Sequence, residues 1–295
     1  MIIKKILIAS LALISLILFY IFKKDDLKIS EKLEYVDNEV ILHDIFLLDN
    51  NNYLALTKVV VEEHEVDKLA KELLEILISE GKGEAKIPNG FKSILPSTTE
   101  IKNIIYKENV LKIDFSKELL DVNENLEEKI IESIVYTMTS IKEVNKVLIY
   151  VEGEILSKLP KTKKILPSTF DRKYGINKKY DIVSINDITP VNIYYINKYN
   201  DNYYYVPVTN YVNSGSDKIK IIIEELKNNN NDLMSFLNTK TRLIDMKEDN
   251  SMMTLYFSSD IYSVNNEILN EVKDTITLSV KDNYDVSEVI FNVQK

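Results

Sequence analysis

The chain repeats itself at a fixed interval. Val110–Ser116 is echoed by Met252–Ser258, and the phenylalanines of the two segments, Phe115 and Phe257, lie 142 residues apart. The same interval relates Ile134 to Ile276, Val144 to Val286, Val147 to Val289 and Val151 to Val293. One interval running through two strands and a helix marks a duplicated folding unit, and repetition constrains the fold before any local propensity does. Nearer the N-terminus the interval lengthens, with Leu69 corresponding to Ile219, 150 residues on. The second copy has therefore lost about eight residues in the Gly81–Asn89 loop, where deletion is well tolerated.

Each copy reads in the same order. Ile41–Leu47 and Tyr53–Val61 are strands around turn chemistry at Asp49–Asn52. Val66, Leu69, Ala70, Leu73, Leu74 and Leu77 recur at helical spacing, and Gly81 and Gly83 mark the exit. Thr99–Tyr106 and Val110–Phe115 are two more strands; in the second, Leu111, Ile113 and Phe115 alternate with Lys112 and Asp114. A second helix carries Leu126, Ile130, Ile134, Met138 and Ile141 on one stripe, and Lys146–Val151 closes the copy. In the second copy Val191–Ile196 and Tyr203–Val208 are the opening strands, with Pro207 marking an edge or an end. Its helices run through Ile219, Ile222, Ile223 and Leu226, capped by Asp217 or Ser216, and through Ile268, Val272, Ile276 and Val280.

The N-terminus has a different character. Ile6 to Phe22 carries no charge, and as a helix it covers roughly 25 Å, slightly short of a hydrocarbon core. Lys4, Lys5, Lys23 and Lys24 flank the run and can reach both interfaces. The run ends in bulky Phe19–Phe22 rather than small residues, which favours an uncleaved anchor over a cleaved signal. Lys4 and Lys5 favour a cytoplasmic N-terminus, with the rest of the chain outside the cytoplasm.

The expected fold is therefore α/β of the α+β type. An N-terminal transmembrane helix is followed by two tandem ββαββαβ units, each a small sheet with helices packed on one face. The expected divisions are an anchor at 1–24, a stalk at 25–39, a first unit at 40–157, a basic linker at 158–189 and a second unit at 190–295.

Chemistry-bearing patterns are scarce. The net charge of −9 argues against nucleic acid. The absence of cysteine excludes disulfides, thiolate metal sites and a thioether-linked lipid anchor. His43 falls in a strand and His64 in a charged turn, and neither pairs with a serine and a carboxylate. The acidic pairs Glu62-Glu63 and Glu127-Glu128 read as solvated surface, and six glycines make no phosphate loop. Tyr203, Tyr204 and Tyr205 read as core and edge packing. No catalytic, cofactor-binding or metal-ligating residue is expected, and no enzymatic activity. Between Lys158 and Lys179 the linker sets Lys158, Lys161, Lys163, Lys164, Arg172, Lys173, Lys178 and Lys179 against Asp171 alone. That run reads as a solvated linker, or else as a contact for an anionic envelope polymer, lipid or the acidic faces of the two units.

A pattern joins these positions. Leu95-Pro96 leading to Thr99, a strand ending Asp114-Phe115-Ser116, a helix with Tyr136-Thr137-Met138-Thr139, then Val144, Val147 and Glu152-Gly153, together resemble the GerM-domain family. Leu166 to Lys178, with Arg172, Gly175 and Asn177, resembles the segment that joins tandem domains there. The second copy is degenerate: Asn238 replaces the proline, Tyr256 the aspartate, and no glycine follows Val293. The resemblance implies an extracytoplasmic protein of endospore formers that stabilises the channel complex between mother cell and forespore, needed for spore maturation and germination. Its implied partners are protein components of that channel in the septal and engulfing membranes, with the bilayer held through residues 4–24. Peptidoglycan is the alternative ligand, for a wall-binding accessory module. Members are typically lipid-anchored through a cysteine; here a transmembrane anchor would take that place. The signature positions are expected to maintain the fold. Ser116 would cap the turn into Lys117–Leu120, Thr137 would bond a backbone carbonyl, and the Tyr174–Asn177 segment would pack across both units.

Overall fold

The protein is described from a computed structural model covering residues 10, 13–15, 17, 41–228 and 232–294. The expected anchor and stalk lie almost wholly outside these residues. Among the described residues no helix is long and apolar enough to cross a membrane.

Residues 40–295 form one compact unit. The first copy supplies strands β1 (Leu42–Asp49) and β2 (Leu54–Val60), helix α1 (Val66–Leu77), β3 (Phe91–Lys92), β4 (Ile101–Lys107), β5 (Val110–Phe115), helix α2 (Glu124–Met138) and β6 (Lys146–Val151). The joining segment adds β7 (Glu154–Ile155) and β8 (Lys179–Asp181). The second copy supplies β9 (Ile188–Tyr199), β10 (Asn202–Asn213), α3 (Lys218–Lys227), β11 (Leu243–Asp249), β12 (Met252–Ser258), α4 (Asn270–Asn283) and β13 (Glu288–Gln294).

The expected element order is present, but the sheets are divided differently from one small sheet per copy. The opening hairpins of the two copies leave their own sheets and share a six-stranded one, where β10 meets β2 at Tyr205 and Leu56. Each copy keeps a separate sheet, β4-β5-β6-β7 in the first and β11-β12-β13 in the second. Joining the hairpins removes two exposed edges, since a free edge presents unpaired N–H and C=O groups. Asp49 at the end of β1 reinforces the junction: its carboxylate accepts from Tyr204 Oη at 2.8 Å and Asn197 Nδ2 at 3.1 Å. Tyr204 is thus a cross-copy contact, whereas Tyr203 packs edge-on against Phe236 within the second copy.

The duplication holds at the level of single hydrogen bonds. Glu100 N–H donates to Ser116 Oγ at 3.0 Å, and Arg242 N–H, 142 residues on, donates to Ser258 Oγ at 3.1 Å. Thr99 N–H donates to the Pro96 carbonyl at 3.0 Å and Thr241 N–H to the Asn238 carbonyl at 2.9 Å. The turn survives loss of the proline because the bond uses a backbone carbonyl, which every residue carries.

Two details depart from the sequence reading. Pro207 lies inside a twelve-residue strand rather than at an end. It faces Tyr194, whose N–H turns away from β10 to Ser279 Oγ, so this rung needs no N–H from the proline. Helix α2 buries every residue from Ile130 to Met138, not one stripe, because the first core surrounds it with side chains of β1, β2, α1, β5 and β6. The polar members of that run, Glu132, Ser133 and Thr137, must then find partners inside the protein.

The Leu166–Lys178 stretch is held on both sides: Phe170 pairs with Val147 of the first copy and Arg172 with Asp282 of the second. Trypsin under native conditions should therefore leave it uncut, and residues 40–295 should persist as one fragment. Rapid cleavage at Lys163, Lys164 or Arg172 releasing two stable, separable pieces would show that the copies are independent.

Candidate functional site

Helix α2 grips β1 through hydroxyls. Phe46 N–H donates to Thr137 Oγ1 at 3.1 Å, and Ser133 Oγ donates to the Phe46 carbonyl at 2.7 Å. Thr137 thus accepts from an amide instead of bonding a carbonyl. The second copy repeats the grip with Ser279, which accepts from Tyr194 N–H at 2.9 Å. Thr139 Oγ1 donates back to the Val135 carbonyl at 2.7 Å at the end of α2.

The other signature residues of the first copy sort into two local clusters. Leu95 is fully buried and pairs its backbone with Leu77 beside the Pro96–Thr99 turn. Asp114 accepts from Gly153 N–H at 3.0 Å; Gly153 has φ +81°, where glycine is unstrained. Ser116 stands at the N-terminus of the Lys117–Leu120 turn but does not cap it, because its hydroxyl is already taken by Glu100 N–H, the residue before β4.

The remaining four, Tyr136, Arg172, Gly175 and Asn177, meet at the seam between the copies. Asn177 occupies the gap on the edge of β10 between β2 and β8. Its Oδ1 accepts from Leu54 N–H at 3.0 Å, and its Nδ2 donates to the carbonyls of Leu54 and Pro207, both at 2.8 Å. A side-chain amide carries the same donor and acceptor as a peptide, so Asn177 substitutes for a strand residue between the two hairpins. Its φ of +46° is one that asparagine adopts more readily than most residues. Two residues earlier, Gly175 has φ +82°, and a Cβ there would lie 2.9 Å from Tyr211 Oη and 3.1 Å from Thr209 Oγ1. Ile176 N–H donates to that Thr209 hydroxyl at 2.8 Å.

An ionic cluster surrounds the asparagine. Glu132, nearly buried on α2, accepts from Asn177 N–H at 2.9 Å and pairs with Lys178 Nζ at 3.2 Å. Glu128, one turn earlier, receives both Lys164 and Lys178. Lys178 Nζ also lies 3.5 Å from the Tyr174 ring centroid. Burial raises the pKa of Glu132 against the pull of Lys178 and the Asn177 amide. At Glu128 burial acts in the same direction, but the hydrogen bonds from Lys164 and Lys178 outweigh it and the pKa falls below the ordinary carboxylate value. Glu127 is fully buried, not solvated as its charge suggested, and accepts from Lys161 and Thr162 N–H, both at 2.7 Å. Within the basic run Lys164 and Lys178 are therefore matched to acidic residues of the first copy, whereas Lys158, Lys163, Lys173 and Lys179 stay exposed, as a solvated linker would have them.

Arg172 makes the matching contact to the second copy. It pairs with Asp282 at 2.7 Å, whose side chain is 4% exposed, while its guanidinium lies 5.0 Å from the Tyr136 ring centroid. The Arg172 carbonyl accepts from Tyr136 Oη at 3.0 Å. Burial lowers the pKa of this arginine, but the Asp282 carboxylate outweighs it and the pKa rises above the ordinary arginine value. A cleft of about 480 Å³ opens beside the pair, walled by Asn145 of the first copy, Lys173 of the joining segment, and Lys218, Asn283 and Asp285 of the second. Sequence reasoning missed Glu132 and Asp282, and it read Glu128 as solvated surface and Lys178 only as part of a basic run. The one visible signal was the four-residue spacing of Glu128 and Glu132, which stacks them on one side of a helix.

Residues 44–157 match the family described as "Germane: Sporulation and spore germination". The chain is 28% identical over 268 residues to the spore germination protein GerM of Bacillus subtilis, covering 87% of this chain and 72% of that one. The solved tandem GerMN domains of the sporulation protein GerM from Bacillus subtilis superpose with a TM-score of 0.79 at 28% identity, over 86% of this chain and 91% of theirs. Since that match covers both copies and the segment between them, the GerM likeness extends beyond the first domain.

Replacing Asn177 with alanine removes four side-chain bonds, the three to Leu54 and Pro207 and one from Lys129 Nζ at 3.2 Å, and strands the Leu54 and Pro207 backbone groups. We expect a loss of about 3 kcal/mol in urea unfolding; a loss under about 1 kcal/mol would mean that the seam closes without it. The lowered pKa of Glu128 gives stability that is complete above the unfolded carboxylate value and is lost as pH falls through the lower folded value. Glu128→Gln should therefore lower the melting temperature at neutral pH and narrow its gap from the parent below about pH 4. An unchanged gap across that range would show that Glu128 is not the acid-sensitive group.

Proposed function

We propose that this chain is a non-enzymatic assembly protein of endospore formation, anchored in the membrane through residues 4–24 with residues 40–295 outside the cytoplasm. In this reading it stabilises the channel complex between mother cell and forespore, and spore maturation and germination depend on it. The observation that carries the proposal is the likeness to the tandem GerMN domains across both copies. The site chemistry supports it. The polar groups at the seam are engaged with one another: Glu127 holds backbone N–H groups, Glu128 and Glu132 hold lysines, and Arg172 holds Asp282. Such a seam fixes one rigid arrangement of two modules, which suits a scaffold. The wall-binding alternative is less well supported, because Lys164, Arg172 and Lys178 are paired with carboxylates within the chain.

Deletion of the gene in its own organism should sharply reduce heat-resistant spores, or leave spores that fail to germinate, with vegetative growth unaffected. Normal counts and normal germination would overturn the proposal. The anchor is tested separately: removing residues 1–24 should shift the protein from the membrane to the soluble fraction.

A further inference from the structure

The two copies differ at one edge. In the first, β6 has company on its outer side. Val147 N–H donates to the Phe170 carbonyl and accepts in return at its own carbonyl, both at 2.8 Å, in antiparallel geometry. β7 pairs further along, and Leu156 N–H donates to the Ile149 carbonyl at 2.9 Å. Under this cover Val147 and Ile149 are fully buried. In the second copy β13 ends its sheet, and among the described residues nothing pairs with its outer edge. The counterparts of Val147 and Ile149, Val289 and Phe291, are only half-buried although they face the second core.

Other edge strands of these sheets are guarded by charge. β4 carries Lys102 and Lys107, and β11 carries Asp245, Lys247, Glu248 and Asp249. β13 has Glu288 alone in Glu-Val-Ile-Phe-Asn-Val-Gln. An apolar edge without lysine, proline or bulge is a pairing surface.

We propose that this edge pairs antiparallel with the same edge of a second copy of the chain, centred on Ile290. The first copy shows what the edge accepts: an antiparallel extended segment with a phenylalanine opposite Val147. β13 supplies that segment itself. With Ile290 opposite its symmetry mate, Val289 faces Phe291 of the second chain, and Phe291 faces the second Val289. The backbone directions agree. Val147 turns its N–H and C=O outward, and Glu288 N–H, at the start of β13, turns inward to the Ser251 carbonyl, so by alternation and the 142-residue correspondence Val289 and Phe291 point outward together. They form hydrogen-bonded pairs across the symmetry axis, and Ile290 forms a non-hydrogen-bonded pair with side chains close together. Glu288 then faces Asn292 of the other chain. Such a contact is isologous and closes as a dimer.

The cysteine-free chain permits a direct test. Ile290→Cys in the full-length protein should give a disulfide-linked dimer on mild oxidation, because directly opposed residues meet the geometry a disulfide requires. Ile105→Cys, exposed on the guarded edge β4, should remain monomeric. Charge then reads the register. Asn292→Lys in the Ile290→Cys background should strengthen cross-linking through Glu288, and Asn292→Glu should weaken it, with dimerisation constants on the order of ten-fold apart. Position 292 is exposed, so neither change threatens the fold. A folded Ile290→Cys chain that stays monomeric would overturn the proposal. So would equal cross-linking by the lysine and glutamate variants, or cross-linking by Ile105→Cys to the same extent.

Discussion

The structure turns on one amide. Asn177 stands where a strand residue should stand between β2 and β10, and satisfies the Leu54 and Pro207 backbone groups with its side chain. Without it the two hairpins would share strand pairing only at Leu56 and Tyr205, and buried peptide groups beside that contact would lack partners. Its neighbours are arranged to deliver it. Gly175 lets the chain turn at positive φ against Tyr211, Ile176 is pinned by Thr209, and the Asn177 N–H is taken by Glu132. A buried carboxylate is tolerable there because Lys178 is adjacent and supplies the opposite charge.

The seam treats the two copies unequally. The joining segment gives the first copy its cover, its lysines and Phe170, and gives the second copy Arg172. Leu156, Leu159, Leu166 and Phe170 all complete the first core, and no comparable segment among the described residues completes the second. The degeneracy of the second copy in sequence thus has a physical side: its core is closed by fewer elements, and one edge is left open.

Much of the architecture was legible. Hydrophobic periodicity and turn residues place the strands and helices to within a few residues, and the 142-residue interval holds down to the bonds of Ser116 and Ser258. The signature positions Arg172, Gly175 and Asn177 could be named from the pattern of the joining segment, but their work could not. Burial of Glu127 and Glu132 ran against the rule that carboxylates face water, and only their partners, Lys161 and Thr162 N–H for one and Lys178 for the other, explain the exception. Ser116 illustrates the opposite failure: its position before a helical turn suggested a cap, yet Glu100 N–H, sixteen residues earlier, competes for the same hydroxyl and takes it.

By itself the sequence determined that there are two copies, what each is built from, and which segment joins them. These follow from local pattern: side-chain period, turn residues and a constant interval are all written along the chain. Only the tertiary structure decided that the opening hairpins leave their own sheets and join each other. That choice depends on pairing between residues nearly 150 positions apart, on a gap of one side chain's width filled by Asn177, and on charges that find each other across it. None of these distances is encoded in the order of residues near any one of them.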